Sequence, residues 1–163
     1  MIPQVFEVTA IGKGAIFVMP KPSSMWLSDD INYLFGLGIT KVVSLLEVHE
    51  AFELGLEKEE QELQKHGIEY LNFPIQDRGL PKLAPFTELV ESLYKDICDG
   101  HNLAIHCRVG IGRTGTLASC ILIKDKYDAQ TAIDMVSAAR GVGIPDTQEQ
   151  YDLICNYEKG YFT

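Results

Sequence analysis

The chain has no apolar run of the roughly 18 residues that a membrane-spanning helix needs. Its start, MIPQVFEVTA, lacks both the basic opening and the apolar stretch of a secretory signal. Positive charge is also scarce: 14 Lys and Arg stand against 23 Asp and Glu, for a formal net charge of −9. Nucleic-acid binders carry a basic patch or stripe, and anionic membrane surfaces attract polybasic segments, so neither nucleic acid nor membrane is an expected partner. The four cysteines show neither the CxxC spacing of zinc sites nor the density of a disulfide scaffold. Also missing are a Gly/Ser linker, an internal repeat and the GxxxxGK[ST] nucleotide loop. What remains is a cytoplasmic monomer with free thiols, a single domain over 1–163, with no metal or cofactor expected.

Against these absences, the composition is that of an ordinary globular domain, 46% hydrophobic and 23% charged. Strand-like runs alternate with helical patterns. Ala15–Met19 (AIFVM), Ile39–Leu46 (ITKVVSLL), Ile68–Ile75 (IEYLNFPI) and Asn102–His106 (NLAIH) read as short buried strands. Between and after them, helices are expected from Ser28 to about Gly38, over Leu56–Gly67, through Ile97, and over Thr114–Asp125, Ala129–Ala139 and Thr147–Lys159. The charge run LEKEEQELQKHG reads as a solvated helix face. Alternation of this kind predicts an α/β fold, with a mainly parallel central sheet flanked by helices on both faces. In such sheets ligands bind beyond the carboxyl ends of the strands.

The loop after NLAIH occupies such a position, and HCRVGIGRTG, His106 to Gly115, carries the chemistry. Gly110, Gly112 and Gly115 permit turns and close backbone approach, so successive N–H groups can face inward as an anion nest. The helix that follows adds its positive N-terminal end. Cys107 begins the loop, which places its sulfur at the base of the cradle, where donors and a guanidinium favour thiolate over thiol. Arg113, six positions on, offers a planar fork for two phosphate oxygens. A nucleophile, an anion cradle lined by Arg108, Val109, Gly110, Ile111 and Gly112, and a bidentate clamp together predict phosphoryl transfer. Thr114 is expected to donate its hydroxyl to the Cys107 sulfur, with helix capping as the plainer alternative. His106 is expected to orient the loop through a side-chain hydrogen bond. Cys98, Cys120 and Cys155 lie in apolar helical contexts and read as core.

HCRVGIGRTG resembles the signature loop of the protein tyrosine phosphatase superfamily: His-Cys, five residues, Arg, then Ser or Thr. Length and organisation are similar to the small dual-specificity phosphatases, particularly the group related to Cdc14 and the kinase-associated phosphatases. The resemblance runs from about Gly14 to Tyr157 and is strongest from Phe73 to Gly115. It implies a metal-independent, two-step mechanism through a phosphocysteine.

That mechanism needs an acid for the leaving oxygen, and Asp77 in FPIQDRGLP, 30 residues before Cys107, matches the family's acid loop. One residue can serve as acid and then as base in a two-step displacement. Arg78 beside it is expected to pair locally, without a catalytic role. In IPDTQEQYDLI, Gln150 matches a glutamine that positions water in tyrosine-specific members, whereas Asp146 stands where a second would be. A helix N-terminal cap built on Asp146 or Thr147 explains the same residues equally well. Glu47, at the end of VVSLLE, either braces Arg113 by an ion pair or is a surface glutamate.

The loop variables add only Arg108 as charge, and the whole chain is acidic. Both favour a phosphoprotein substrate, phosphotyrosine with phosphoserine and phosphothreonine, over a phosphoinositide or inositol phosphate. A catalytically weak phosphopeptide-binding module is a further alternative, disfavoured by the joint presence of Cys107, Arg113 and Asp77. Arsenate reduction would need shuttling thiols that only Cys120 is near enough to supply.

Overall fold

A computed structural model describes residues 2–160. Five strands form one sheet: β1 (Phe6–Ile11), β2 (Gly14–Met19), β3 (Lys41–Ser44), β4 (Glu69–Asn72) and β5 (Asn102–His106). Their spatial order is β1-β2-β5-β3-β4. The pair β1 and β2 is antiparallel, and the β2·β5, β5·β3 and β3·β4 pairs are parallel. The expected α/β class with a mainly parallel sheet is therefore what the chain forms.

Side chains alternate across each strand, so successive residues feed opposite faces. Ile16, Val18, Val43, Leu103 and Ile105 enter a core with helices α4 (Leu83–Cys98), α5 (Gly112–Lys124), α6 (Ala129–Arg140) and α7 (Gln148–Lys159). Phe17, Met19, Val42 and Ala104 enter a second core with α1 (Leu27–Gly36) and α3 (Glu59–Lys65). By the same alternation His106 belongs to the α1/α3 face while Cys107 joins the α4–α7 core. Cys120 is fully buried in that core, and Cys98 and Cys155 pack against it. All four cysteines are free thiols.

Two elements escaped the sequence reading. The edge strand β1, FEVTAI, has an irregular burial pattern because a register shift between Glu7 and Thr9 breaks its alternation. Helix α2 (Val48–Glu53) is too short for an amphipathic period to declare itself, and it is set by a capping box between Glu47 and Glu50. The charged helix expected over Leu56–Gly67 contracts to Glu59–Lys65.

Phe86 of α4 is fully buried, whereas Phe52 of α2 is largely exposed. Phe86→Ala removes a ring from a packed core and should cost about 3–5 kcal/mol. Phe52→Ala should stay within roughly 0.5 kcal/mol of wild type. Urea unfolding midpoints of the two variants compare them directly.

Candidate active site

Strand β5 delivers Cys107 to the carboxyl edge of the sheet, and the next residues turn through Gly110 into α5. Gly110 has φ +76, and a Cβ there would stand 2.6 Å from the Met19 carbonyl oxygen, so no other residue fits without moving β2. The loop's carbonyls are tied outward. Cys107 O accepts from the His106 ring, Arg108 O from Lys21 N–H, Val109 O from Arg140 Nη2 and Gly112 O from Thr116 Oγ1. In contrast, the N–H groups of residues 108–113 bond to no acceptor among the described residues. Carbonyls held outside and amides left inside make an anion nest at the start of α5.

Arg113 is buried and held by its outer nitrogens. Nη1 donates to Glu50 Oε1 at 2.8 Å and to Ile75 O at 2.8 Å. Nη2 donates to Glu50 Oε2 at 2.9 Å and to Asp77 Oδ1 at 3.2 Å. The Nε–H makes no bond among the described residues. Burial works against the Arg113 cation, but the hydrogen-bonded Glu50 carboxylate, with Cys107 and Asp77, raises the guanidinium's pKa further. Burial also opposes ionisation of Glu50, and Arg113 reverses this, leaving the carboxyl below its ordinary range. Arg108 Nε reaches the same carboxylate at 3.3 Å.

The arginine brace expected from Glu47 therefore comes from Glu50. Glu47 sits at the N-cap of α2, and the helix turns the residue three positions on toward Arg113. A Glu spaced at i+3 from a strand-end Glu was the available signal, and it is a capping pattern as much as a site pattern.

A cavity of about 200 Å3 is lined by Asp77, Arg78, Cys107, Arg108, Val109, Gly112, Arg113, Asp146 and Gln150. The structure thus brings together Cys107, Arg113, Asp77 and Gln150. Asp77 lies at the mouth, half-exposed, on a segment pinned where Arg113 holds the Ile75 carbonyl. Next to it Arg78, with φ +61, crosses the mouth to Asp146 at 2.8 Å.

Gln150 makes the helix cap that one of its two expected roles called for. Its Oε1 accepts from Asp146 N–H and Thr147 N–H, and its own N–H donates to Thr147 Oγ1 as a helix cap. Its Nε2 is buried without a partner among the described residues and borders the cavity. The Thr114 hydroxyl is likewise buried without a hydrogen-bond partner, so the bond expected to Cys107 is not made here. Val109 and Ile111 contribute backbone, and the Val109 side chain is partly exposed at the rim.

The His106 ring meets Cys107 O through Nδ1 at 3.1 Å, the kind of side-chain hydrogen bond expected of it. Its Nε2 meets Glu59 Oε2 at 2.6 Å, both side chains being buried. The 56–67 charge run does present a solvated face, with Glu57, Lys58, Glu60, Gln61, Gln64 and Lys65 exposed, but Glu59 lies off it. Leu56, Glu59 and Leu63 share one stripe of that segment, and all three are buried. Arg140, also missed, supports the loop from α6 and stacks over Phe6 with its guanidinium 5.1 Å from the ring centroid. Among the described residues, no group of three or more His, Cys, Asp or Glu is placed to hold a metal ion. No helix among them is long and apolar enough to cross a membrane.

The geometry agrees with what the chain is similar to. A family model described as "Swiss Army Knife protein, DSP-PTPase phosphatase domain" matches residues 7–148. Cyclin-dependent kinase inhibitor 3 of Rattus norvegicus is 33% identical over 93 residues, 56% of this chain and 44% of the rat protein. Protein tyrosine phosphatase domain-containing protein 1 of Mus musculus is 30% identical over 151 residues, 86% of this chain and 20% of the mouse protein. The chain thus spans less than half the length of these relatives. In fold it superposes on kinase associated phosphatase, solved with its catalytic-site cysteine changed to serine. The TM-score is 0.86 at 21% identity, covering 98% of this chain and 96% of that one.

Removing the charge of Glu50 takes from the buried Arg113 guanidinium its buried carboxylate partner and leaves only the half-exposed Asp77. Glu50→Gln should therefore lose about 3–5 kcal/mol at neutral pH. The pH dependence follows from the lowered pKa of Glu50, whose ordinary value is 4.5. Its contribution is complete above that value and disappears as pH falls through the folded-state pKa. Urea unfolding on acidification should show wild type approaching the variant's lower stability, the variant itself having the shallower slope.

Proposed function

Since the chain belongs to the DSP-PTPase phosphatase domain family, we propose that it hydrolyses phosphotyrosine, and with it phosphoserine and phosphothreonine, in proteins through a phosphocysteine on Cys107. The observation that carries this reading is the inside-out loop, with carbonyls tied to the scaffold and amides free around the Cys107 sulfur. On this reading the chain works as a cytoplasmic monomer without metal or cofactor.

The donor arithmetic of Arg113 supports the first step. Four of its five N–H groups are engaged, and one of these holds Asp77. A phosphoryl dianion takes the Nε–H and displaces Asp77 from Nη2, which frees the carboxyl beside the leaving oxygen. The thiolate then attacks phosphorus, the P–O bond to the substrate breaks, and Asp77 protonates the departing oxygen. In the second step Asp77, now a carboxylate, takes a proton from water as that water attacks phosphorus and the P–S bond breaks. The unpartnered Nε2 of Gln150 is placed to hold this water, and the unpartnered Thr114 hydroxyl is the donor to the leaving sulfur. Both orphan groups acquire partners only during turnover, which accounts for their burial.

The cavity, about 200 Å3, is smaller than the ~300–1,000 Å3 of sites enclosing whole drug-sized ligands. That suits one phosphorylated side chain entering from a protein surface. Arg78 and Arg108 at the mouth supply local positive charge on a chain of net charge −9.

Wild type should hydrolyse para-nitrophenyl phosphate in the presence of chelator, and Cys107→Ser should abolish this. Binding of phosphopeptide without phosphate release would instead identify a binding module. Asp77→Asn should lower kcat by roughly 10²–10⁴-fold while leaving substrate binding nearly intact. A side-by-side panel of phosphopeptides and phosphoinositides tests the substrate class, and faster turnover of the lipids would overturn the protein assignment.

A further inference from the structure

The buried pair of His106 and Glu59 has no part in the mechanism above. We propose that Glu59 of α3 is a positioning residue for the phosphatase reaction, holding His106 as an imidazolium beneath the Cys107 nucleophile. The inference rests on Cys107 being that nucleophile.

Strand alternation sets up the contact. His106 is the last residue of β5 and points to the face opposite the α4–α7 core, where α3 packs. Only an N–H can meet the Cys107 carbonyl, so Nδ1 carries a proton. The Nε2 to Oε2 separation of 2.6 Å then shares one further proton between ring and carboxylate. If that proton sits on the ring, the pair is an imidazolium with a carboxylate, and a positive charge lies one residue from the sulfur.

The surroundings favour this form. Burial disfavours the imidazolium, but the Glu59 carboxylate together with the Cys107 carbonyl and sulfur raises the His106 pKa above the ordinary histidine value. The sulfur does so in its charged form. A positive ring and a negative sulfur one residue apart attract each other. The other titratable group facing the pair is Tyr70 on β4, whose pKa burial and the Glu59 charge push up to about 12, so it stays neutral. Ser44 of β3, the register partner of His106, bonds to Tyr70 and brings no charge. Glu60 acts on Tyr70 from the same helix as Glu59. Among the described residues, Glu59 is the one carboxylate hydrogen-bonded to the ring.

Glu59→Gln keeps the shape and a hydrogen bond to Nε2 but removes the charge that holds the second ring proton. Three readouts on the full chain test the proposal. Ring 15N shifts of wild-type His106 should report an imidazolium at pH 7, and a neutral ring there overturns the proposal whether or not the variant folds. Iodoacetamide labelling of Cys107 at fixed acidic pH should be roughly tenfold slower in Glu59→Gln. The acid limb of kcat/KM should shift to higher pH in the same variant, the two proteins converging at alkaline pH. A structural role alone would lower kcat/KM equally at every pH, and that result, or unchanged labelling, overturns the role of Glu59 while leaving Cys107 as nucleophile. Labelling of Cys107 without loss of hydrolysis would overturn both.

Discussion

The buried ion pair of Arg113 with Glu50 is the constraint around which the site is arranged. A guanidinium out of water is tolerated only when its charge and its donors are met, and one carboxylate meets both outer nitrogens in plane. A fork gripped at both outer nitrogens is held in one orientation. The same carboxylate also receives Arg108, and Nη1 of Arg113 secures the Ile75 carbonyl at the base of the acid segment. One pair thereby registers α2, α5, the signature loop and the Asp77 loop against each other. Such a pair is weak evidence for stability gained over an apolar alternative; what it supplies is a single orientation for the clamp.

Around that clamp the loop solves an electrostatic problem for an acidic chain. With a net charge of −9 the protein as a whole repels a phosphate dianion. The reversal is local and made largely from backbone. The carbonyls of Cys107, Arg108, Val109 and Gly112 are engaged by the His106 ring, by Lys21, by Arg140 and by Thr116. Dipoles fixed by the scaffold need no rearrangement when charge develops, which is where preorganised donors exceed water as a solvent for a transition state.

Much of this was legible because its parts are neighbours in the chain. Cys107, the loop glycines and Arg113 lie within one turn of backbone, so spacing alone implies proximity. Asp77 was legible from its place past a strand. Glu50 and Glu59 were not, since a carboxylate's partner across space leaves no mark in local sequence. Glu47 and Glu50 differ by three positions on a helix too short to announce itself, and only the fold shows which one turns inward. Glu59 was hidden by averaging: LEKEEQELQKHG is charged as a run, yet its Leu56–Glu59–Leu63 stripe is buried. Strand β1 was lost for the converse reason, its alternation broken by an irregularity that sequence period cannot represent. The α/β class survived these misses because it rests on the four strands that run parallel.

The two faces of β5 explain why nucleophile and charge support come from different layers. Leu103, Ile105 and Cys107 descend into one core, so the sulfur is backed by apolar packing that excludes water and holds its position. Ala104 and His106 turn to the other, where α3 supplies a buried carboxylate. A period of two residues is enough to separate a dry seat for sulfur from a polar brace for the backbone that carries it. The consecutive His-Cys of the signature is then a consequence of the pleat: adjacent residues at a strand end must face opposite ways. The two meet at the Cys107 carbonyl, which accepts from the histidine ring.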